Sequence, residues 1–348
     1  MRPQTLLTAA LAGYMTPAAS QSLPSLYDAL DAAGASKFAA LIQADAGVSD
    51  LYGSGAIKTV FAPSDAAVIP SALSRRDTTS ESQLEYQACK DQTRLAEASS
   101  GANGGVTLNT GLNAPGLGGT PQKALVDTRP ANATNVSKRW NLSHRAANTS
   151  ISLLKIEAGL GAVSNVIQAD IAFDGGTIHI TDSYFTLPES LSSTAALTGQ
   201  TTFNSLANSS NLTSTLDNAQ FVTVFLPSNA AFDAANSNSS TLSSSQLISN
   251  HVVSGFVGYL PALVDGLTLT TENGGVLTVS VRNDIWYING AIITQANLIL
   301  ENGVAHVIDK VLLPAPKPAT VTSSGTLAAA LKAPSPVLAL LASLVLLF

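Results

Sequence analysis

One ten-residue string occurs twice in this chain, with three positions changed. Thr59-Val60-Phe61-Ala62-Pro63-Ser64-Asp65-Ala66-Ala67-Val68 returns 164 residues later as Thr223-Val224-Phe225-Leu226-Pro227-Ser228-Asn229-Ala230-Ala231-Phe232. A second string follows each copy of the first. Ala169-Asp170-Ile171 through Gly176, His179 and Asp182 returns 127 residues later as Ala296-Asn297-Leu298 through Gly303, His306 and Asp309. Leu187-Pro188 and Leu313-Pro314 close the two copies. Two strings repeated in the same order mean one architecture built twice. The chain of 348 residues therefore reads as two domains, 21–188 and 189–314, close to the usual domain size. The two offsets differ, so the first copy carries 37 extra residues between its strings.

Local patterns set the class of fold. Leu26, Leu30 and Ala33, then Phe38, Leu41 and Ile42, recur at helical spacing on either side of Gly34. Lys58 to Ala62 and Phe221 to Leu226 are β-rich runs, each stopped by a proline, Pro63 or Pro227, which cannot donate to a sheet ladder. Ser64 and Ser228 are placed to cap a short helix after each run. From Val276 onward, Asn283-Asp284, Asn289-Gly290 and Asn302-Gly303 separate apolar runs as hairpin turns. Helices followed by a meander of strands predict an α+β fold. Ala98 to Thr120 holds seven glycines and is expected to be a mobile loop. It would open a poorly packed insertion spanning roughly 98–150.

The repeated strings resemble the fasciclin domain. The first matches that family's Thr-x-Phe-x-Pro-Ser-Asn/Asp box, and Asn302-Gly303-Val304-Ala305-His306-Val307-Ile308-Asp309 matches its second box. In the first copy, Asp174-Gly175-Gly176 and Thr181 depart from that second box. The resemblance covers about 24–188 and 200–314 and is similar to tandem, lipid-anchored members of a fungal kind. It implies a twisted β-wedge with short flanking helices in each domain, and a role in cell–cell or cell–matrix adhesion. Under it, Phe61, Pro63, Phe225, Pro227, His179, Asp182, His306 and Asp309 are structural box residues. Asn250-His251-Val252-Val253 is similar to a Tyr-His segment tied to integrin recognition in animal members. Asn250 stands in place of the tyrosine, and the first copy reads Tyr86-Gln87-Ala88, so that recognition is not carried over.

Both ends of the chain read as export signals. Arg2, the apolar stretch Leu6–Ala12 and the small residues Ala18-Ala19-Ser20 form a signal peptide over 1–20. Val337 to Phe348 is an apolar run of 12 residues, short of the roughly 20 that a spanning helix needs. Small residues at Ser323-Ser324-Gly325-Thr326, a spacer, and that tail make the signal for a glycosylphosphatidylinositol (GPI) anchor. Attachment is expected at Ser324 or Ser323, with 325–348 discarded and the Pro- and Thr-rich 315–324 left as a stalk. Asn132, Asn135, Asn141, Asn148, Asn208, Asn211 and Asn238 each begin a glycosylation sequon. Arg75-Arg76 and Lys138-Arg139 are dibasic pairs whose ordinary reading is solvated surface charge.

Chemistry is sparse. The net charge is −6, which argues against a nucleic-acid partner. Cys89 is the one cysteine, too few for a disulfide framework or a Cys-based zinc site, and it reads as a small buried hydrophobe. Gly116-Leu117-Gly118-Gly119 and Gly159-Leu160-Gly161 lack the third spaced glycine of a dinucleotide loop. His179 and His306 share a strand position, and a metal-ligand role is weighed there against a half-buried histidine bonded to backbone, which is favoured. No catalytic, cofactor or metal residue is assigned. The function expected is a non-enzymatic adhesion or wall- and matrix-organising glycoprotein. It is held by lipid at the outer face of the cell membrane and meets wall or matrix glycans or surface proteins. The alternative is a ligand-binding or carbohydrate-active protein using a cleft between the domains.

The tail reading has a direct check. Deleting Val337–Phe348 should prevent anchor transfer, and mature protein should lack that peptide in mass spectrometry. Recovery of the peptide from mature protein would replace the lipid with a helical tail anchor.

Overall fold

The computed structural model describes residues 22–67, 78–93, 105–127, 154–236 and 242–313. Three short helices lead the first copy: α1 (Leu26–Ala32), α2 (Ser36–Ala44) and α3 (Ala46–Gly53). The Ser25 hydroxyl caps α1 by accepting from the Asp28 amide at 3.2 Å, and Asp45 caps α3 by accepting from Val48 at 3.1 Å. Gly34, at φ +79°, makes the turn between α1 and α2. Then follow β1 (Thr59–Pro63), α4 (Thr78–Gln87), β2 (Ala88–Cys89), β3 (Val106–Ala114), β4 (Thr120–Asp127), β5 (Lys155–Glu157), β6 (Val163–Phe173) and β7 (Gly176–Thr181). These strands close a barrel in chain order, sealed by β1 lying parallel to β7.

The second copy repeats the plan with one side left open. Helices α5 (Leu191–Leu197), α6 (Thr201–Ser209) and α7 (Thr213–Asn218) precede β8 (Val222–Pro227). After it come α8 (Asn229–Asn236), α9 (Ser244–Ser249), β9 (Val252–Ser254), β10 (Thr268–Thr270), β11 (Val276–Arg282), β12 (Ile285–Ile288), β13 (Ala291–Leu300) and β14 (Gly303–Ile308). The strands form one sheet in the order β10-β11-β12-β13-β14-β8-β9. Again the first strand of the copy runs parallel to the last, β8 beside β14. The fold is α+β in both copies.

A strand covered on both faces should be apolar throughout, and β1 and β8 are buried at every position. Val60 and Ala62 face the helices with Leu30, Phe38 and Ile42, while Phe61 faces the barrel interior with Tyr86, Leu108, Ile156 and Phe185. In the second copy Val222, Val224 and Leu226 face Phe203, Leu216 and Ile248, while Phe225 faces Val279, Trp286, Ile288 and Ile308. The two repeated phenylalanines thus stand on the sheet side of a two-layer core.

The glycine-rich stretch corrects its sequence reading. Its described part is no mobile loop but the hairpin β3–β4, with Leu108, Ala114, Leu117, Ala124, Leu125 and Val126 buried. Gly105, Gly111 and Gly116 stand where neighbours leave no room for a side chain. A Cβ on Gly111 would lie 2.8 Å from the Glu85 carbonyl oxygen, and one on Gly105 2.3 Å from that of Val126. By strand order the hairpin matches β10–β11, so it is part of the shared plan and not an addition. The main addition falls between β4 and β5, where the second copy has only Asn283 and Asp284 between β11 and β12. There 128–153, with Asn132, Asn135, Asn141, Asn148 and Lys138-Arg139, lie outside the described residues, as do Arg75-Arg76 and 98–104.

Phe225 is fully buried. Phe225→Ala should cost about 3–5 kcal/mol, the range for a large-to-small change in a packed core. Equilibrium denaturation of the variant checks this, and an unchanged midpoint would overturn the placement.

Candidate functional site

Phe61 pairs in register with His179, and Phe225 with His306, across the two parallel strand pairs. The ring centroids lie 5.1 Å and 5.8 Å apart. Both histidines are fully buried. The Asp170 amide donates to His179 Nδ1 at 3.1 Å, and the Asn297 amide donates to His306 Nδ1 at 3.3 Å. A backbone N–H only donates, so each Nδ1 is bare and each Nε2 carries the proton. Those Nε2 groups donate to the carbonyls of Thr93 at 3.1 Å and Gly258 at 2.8 Å. Asp170 and Asn297 sit at φ +58° and +56°, in register shifts of β6 and β13 that turn the amide inward. Burial lowers the pKa of His179, opposed by its backbone bond to Thr93 and by the Asp170 charge. Every ring nitrogen in this pair is engaged by backbone. Among the described residues no three His, Cys, Asp or Glu side chains are grouped to hold a metal ion.

The other repeated residues act on backbone too. Asp182 and Asn165 exchange backbone bonds, the Asp182 carboxylate accepting from the Asn165 amide at 2.8 Å and the Asp182 amide donating to the Asn165 carbonyl at 3.0 Å. Asp309 and Ile292 do the same at 2.7 Å and 3.1 Å. The amides after Pro63 and Pro227, those of Ser64 and Ser228, both donate at 3.0 Å, to Thr181 and Ile308. Where the second box departs, Gly175 stands for Asn302, whose amide donates to the carbonyls of Leu216, Asp217 and Ala219 and ties down the end of α7.

One equivalent pair differs in chemistry. Gln87 donates to the Phe61 carbonyl at 2.8 Å and accepts from the Phe185 amide at 3.0 Å. In its place the second copy has His251, whose Nδ1 donates to the Leu247 carbonyl and whose Nε2 accepts from the Leu312 amide at 2.8 Å. This is the opposite tautomer to His306. Burial pushes the His251 pKa down to about 4, against the bond to Leu247. Cys89 is buried in the barrel core, and burial pushes its thiol up, away from reactivity.

The two copies meet along a packed joint. Asn297 Nδ2 donates to Glu157 Oε2 at 2.5 Å, while its Oδ1 accepts from the Leu260 amide at 2.8 Å. Gln122 donates to the Leu300 carbonyl at 2.9 Å. Leu125 of the first copy is buried with Tyr259, Ile299 and Val304 of the second. Side chains fill this contact where the alternative reading needs a cleft. No sequence pattern pointed to Gln122, Glu157 or Asn297 as joint residues, because each looks ordinary until its distant partner is known. A shallow hollow beside α5, α6 and α7 is lined by Leu191, Phe203, Ala207, Leu216, Thr213 and Asp217. Both Asp217 oxygens already accept from Ser192.

Of the sequon residues, Asn208 and Asn211 are exposed around the end of α6. Asn238, Ser323 and Ser324 lie outside the described residues, and no described helix is long and apolar enough to cross a membrane.

The His251 state makes stability pH-dependent. Its folded pKa lies below the unfolded value near 6.5, so the unfolded chain takes up the proton first. Stability present at pH 7 is therefore lost as pH falls from about 6.5 toward 4, by roughly 3 kcal/mol from this group. His251→Gln, the first copy's solution, should flatten that part of the curve in urea denaturation at pH 7, 5.5 and 4. An unchanged slope would refute the assignment.

In sequence the chain is similar to known proteins. Residues 198–314 match the Fasciclin domain. The chain is 38% identical over 194 residues to the fasciclin-like arabinogalactan protein CTB11 of Cercospora beticola, covering 54% of this chain and 51% of that protein. It is 30% identical over 206 residues to a fasciclin-like arabinogalactan protein of Arthroderma benhamiae, covering 56% and 46%. It thus spans about half the length of these curated relatives. A FAS1 domain pair from the insect cell adhesion molecule Fasciclin I aligns with a TM-score of 0.38 at 20% identity, over 81% of this chain and 98% of that one. Residues 198–314 thus carry the match to the Fasciclin domain, and about half of the chain is similar to fasciclin-like arabinogalactan proteins.

Proposed function

We propose that the chain is a non-enzymatic surface glycoprotein that acts in adhesion or in organising a wall or matrix. The observation that carries this reading is the use made of the repeated polar residues. His179, His306, Asp182 and Asp309 all bond to backbone within their own copy, so the repeat encodes a scaffold and not a reacting centre. The names of its relatives, fasciclin-like arabinogalactan proteins, support a place at the cell surface. In this reading a lipid at Ser324 or Ser323 and the stalk 315–324 hold the two copies outside the membrane. Glycans on the sequons, with Asn208 and Asn211 exposed, coat part of the surface. Each contact with a wall glycan or surface protein is weak, and many anchored copies add by multivalency.

Beads coated with the full-length glycoprotein should aggregate, or bind wall glycans, more strongly as coating density rises. Turnover of a wall polysaccharide by the same preparation would overturn the reading in favour of an enzyme.

A further inference from the structure

The joint between the copies is built from unlike halves. On the first copy it uses the tip Pro115–Gly119 between β3 and β4 and the loop Ala158–Ala162 between β5 and β6. A Cβ on Gly116 would lie 2.7 Å from Asn302 Cβ and 2.8 Å from the Glu301 carbonyl oxygen. One on Gly118 would lie 3.2 Å from the Phe221 ring, and one on Gly161 2.7 Å from Gln295 Nε2. Gly159 forms an isolated bridge to Ile299. Phe221 itself holds φ +54°, a costly conformation for a bulky residue, with its ring against Gly118.

The second copy has no such half to offer. Its matching tip, Thr271–Gly275, folds back on its own copy. The Glu272 amide donates to the Val252 carbonyl at 2.9 Å, the Ser254 hydroxyl to Glu272 at 2.6 Å, and Asn273 to Asn250 at 2.9 Å. Its counterpart of the Ala158–Ala162 loop is the bare turn Asn289-Gly290. Conversely, the receiving residues Asn297, Ile299 and Val304 are fully buried in the joint. The residues at the same places in the first copy are Asp170, Ala172 and Thr177, and the first two are exposed. A contact between unlike surfaces propagates into chains of molecules when both surfaces recur on every unit. Here each half occurs once.

We propose that Pro115–Gly119 and Ala158–Ala162 form a docking surface with one partner, the second copy of the same chain, and that the two copies fold and unfold as a single body. This does not rest on the adhesive reading. The test uses the full-length chain with Trp140→Phe, which leaves Trp286, buried in the second copy, as the one tryptophan. Phe61→Leu weakens only the core of the first copy. It should lower the midpoint of Trp286 emission on heating by as many degrees as that of far-UV circular dichroism. Gly116→Val should split the two midpoints by wedging the joint. Should that variant fail to fold, Gln122→Ala removes the bond to Leu300 without added volume, and a smaller split is expected. A Trp286 midpoint untouched by Phe61→Leu, or coincident midpoints in both joint variants, would overturn the proposal.

Discussion

Each copy depends on a parallel contact between its first and last strands. Thr59–Pro63 lies along Gly176–Thr181, and Val222–Pro227 along Gly303–Ile308. Parallel neighbours cannot be joined by a tight turn, so everything between them must be laid out as the return path. In the first copy that path is a barrel wall, and in the second an open sheet. The pairing also fixes which side chains meet. One register sets Phe against His on the sheet side and Val and Ala or Leu against the helices on the other. A slip by one residue would exchange the two sets.

The buried histidines follow from that register. A side chain beside Phe61 or Phe225 has no water, so each polar atom must find backbone. The left-handed residues Asp170 and Asn297 deliver an amide to Nδ1, and a carbonyl receives Nε2–H. Asn297 then has its side chain left for the other copy, through Glu157. The same residue therefore serves the core with its backbone and the joint with its amide, which couples packing inside the second copy to its neighbour.

Much of this was legible because it was written twice. The repeated Phe, Pro, His and Asp positions identified equivalent strands, and the helices before them followed from apolar spacing around Gly34. The β3–β4 hairpin was misread because glycine was counted as lost burial. Its glycines answer to Glu85 and to Asn302, one nearby in space and one in the other copy, and composition contains no trace of either. The alternation Val106, Leu108, Leu112, Ala114 was the available signal. The tautomers of His251 and His306 were beyond any sequence reading, since they depend on which way a single amide points.

Gly176 and Gly303 sit at the start of the two closing strands. A Cβ at Gly176 would come within 2.2 Å of the Lys58 carbonyl oxygen, and one at Gly303 within 2.0 Å of that of Val222. Neither neighbour can give way, because Val222 is backbone of one opposing strand and Lys58 is the backbone leading directly into the other. Any change in the first two bases of a glycine codon adds at least a methyl group or ends the chain. These two codons should therefore be among the least variable in natural populations of the gene. Side chains that stand in the open, such as those of Asn208 and Asn211, meet no such limit.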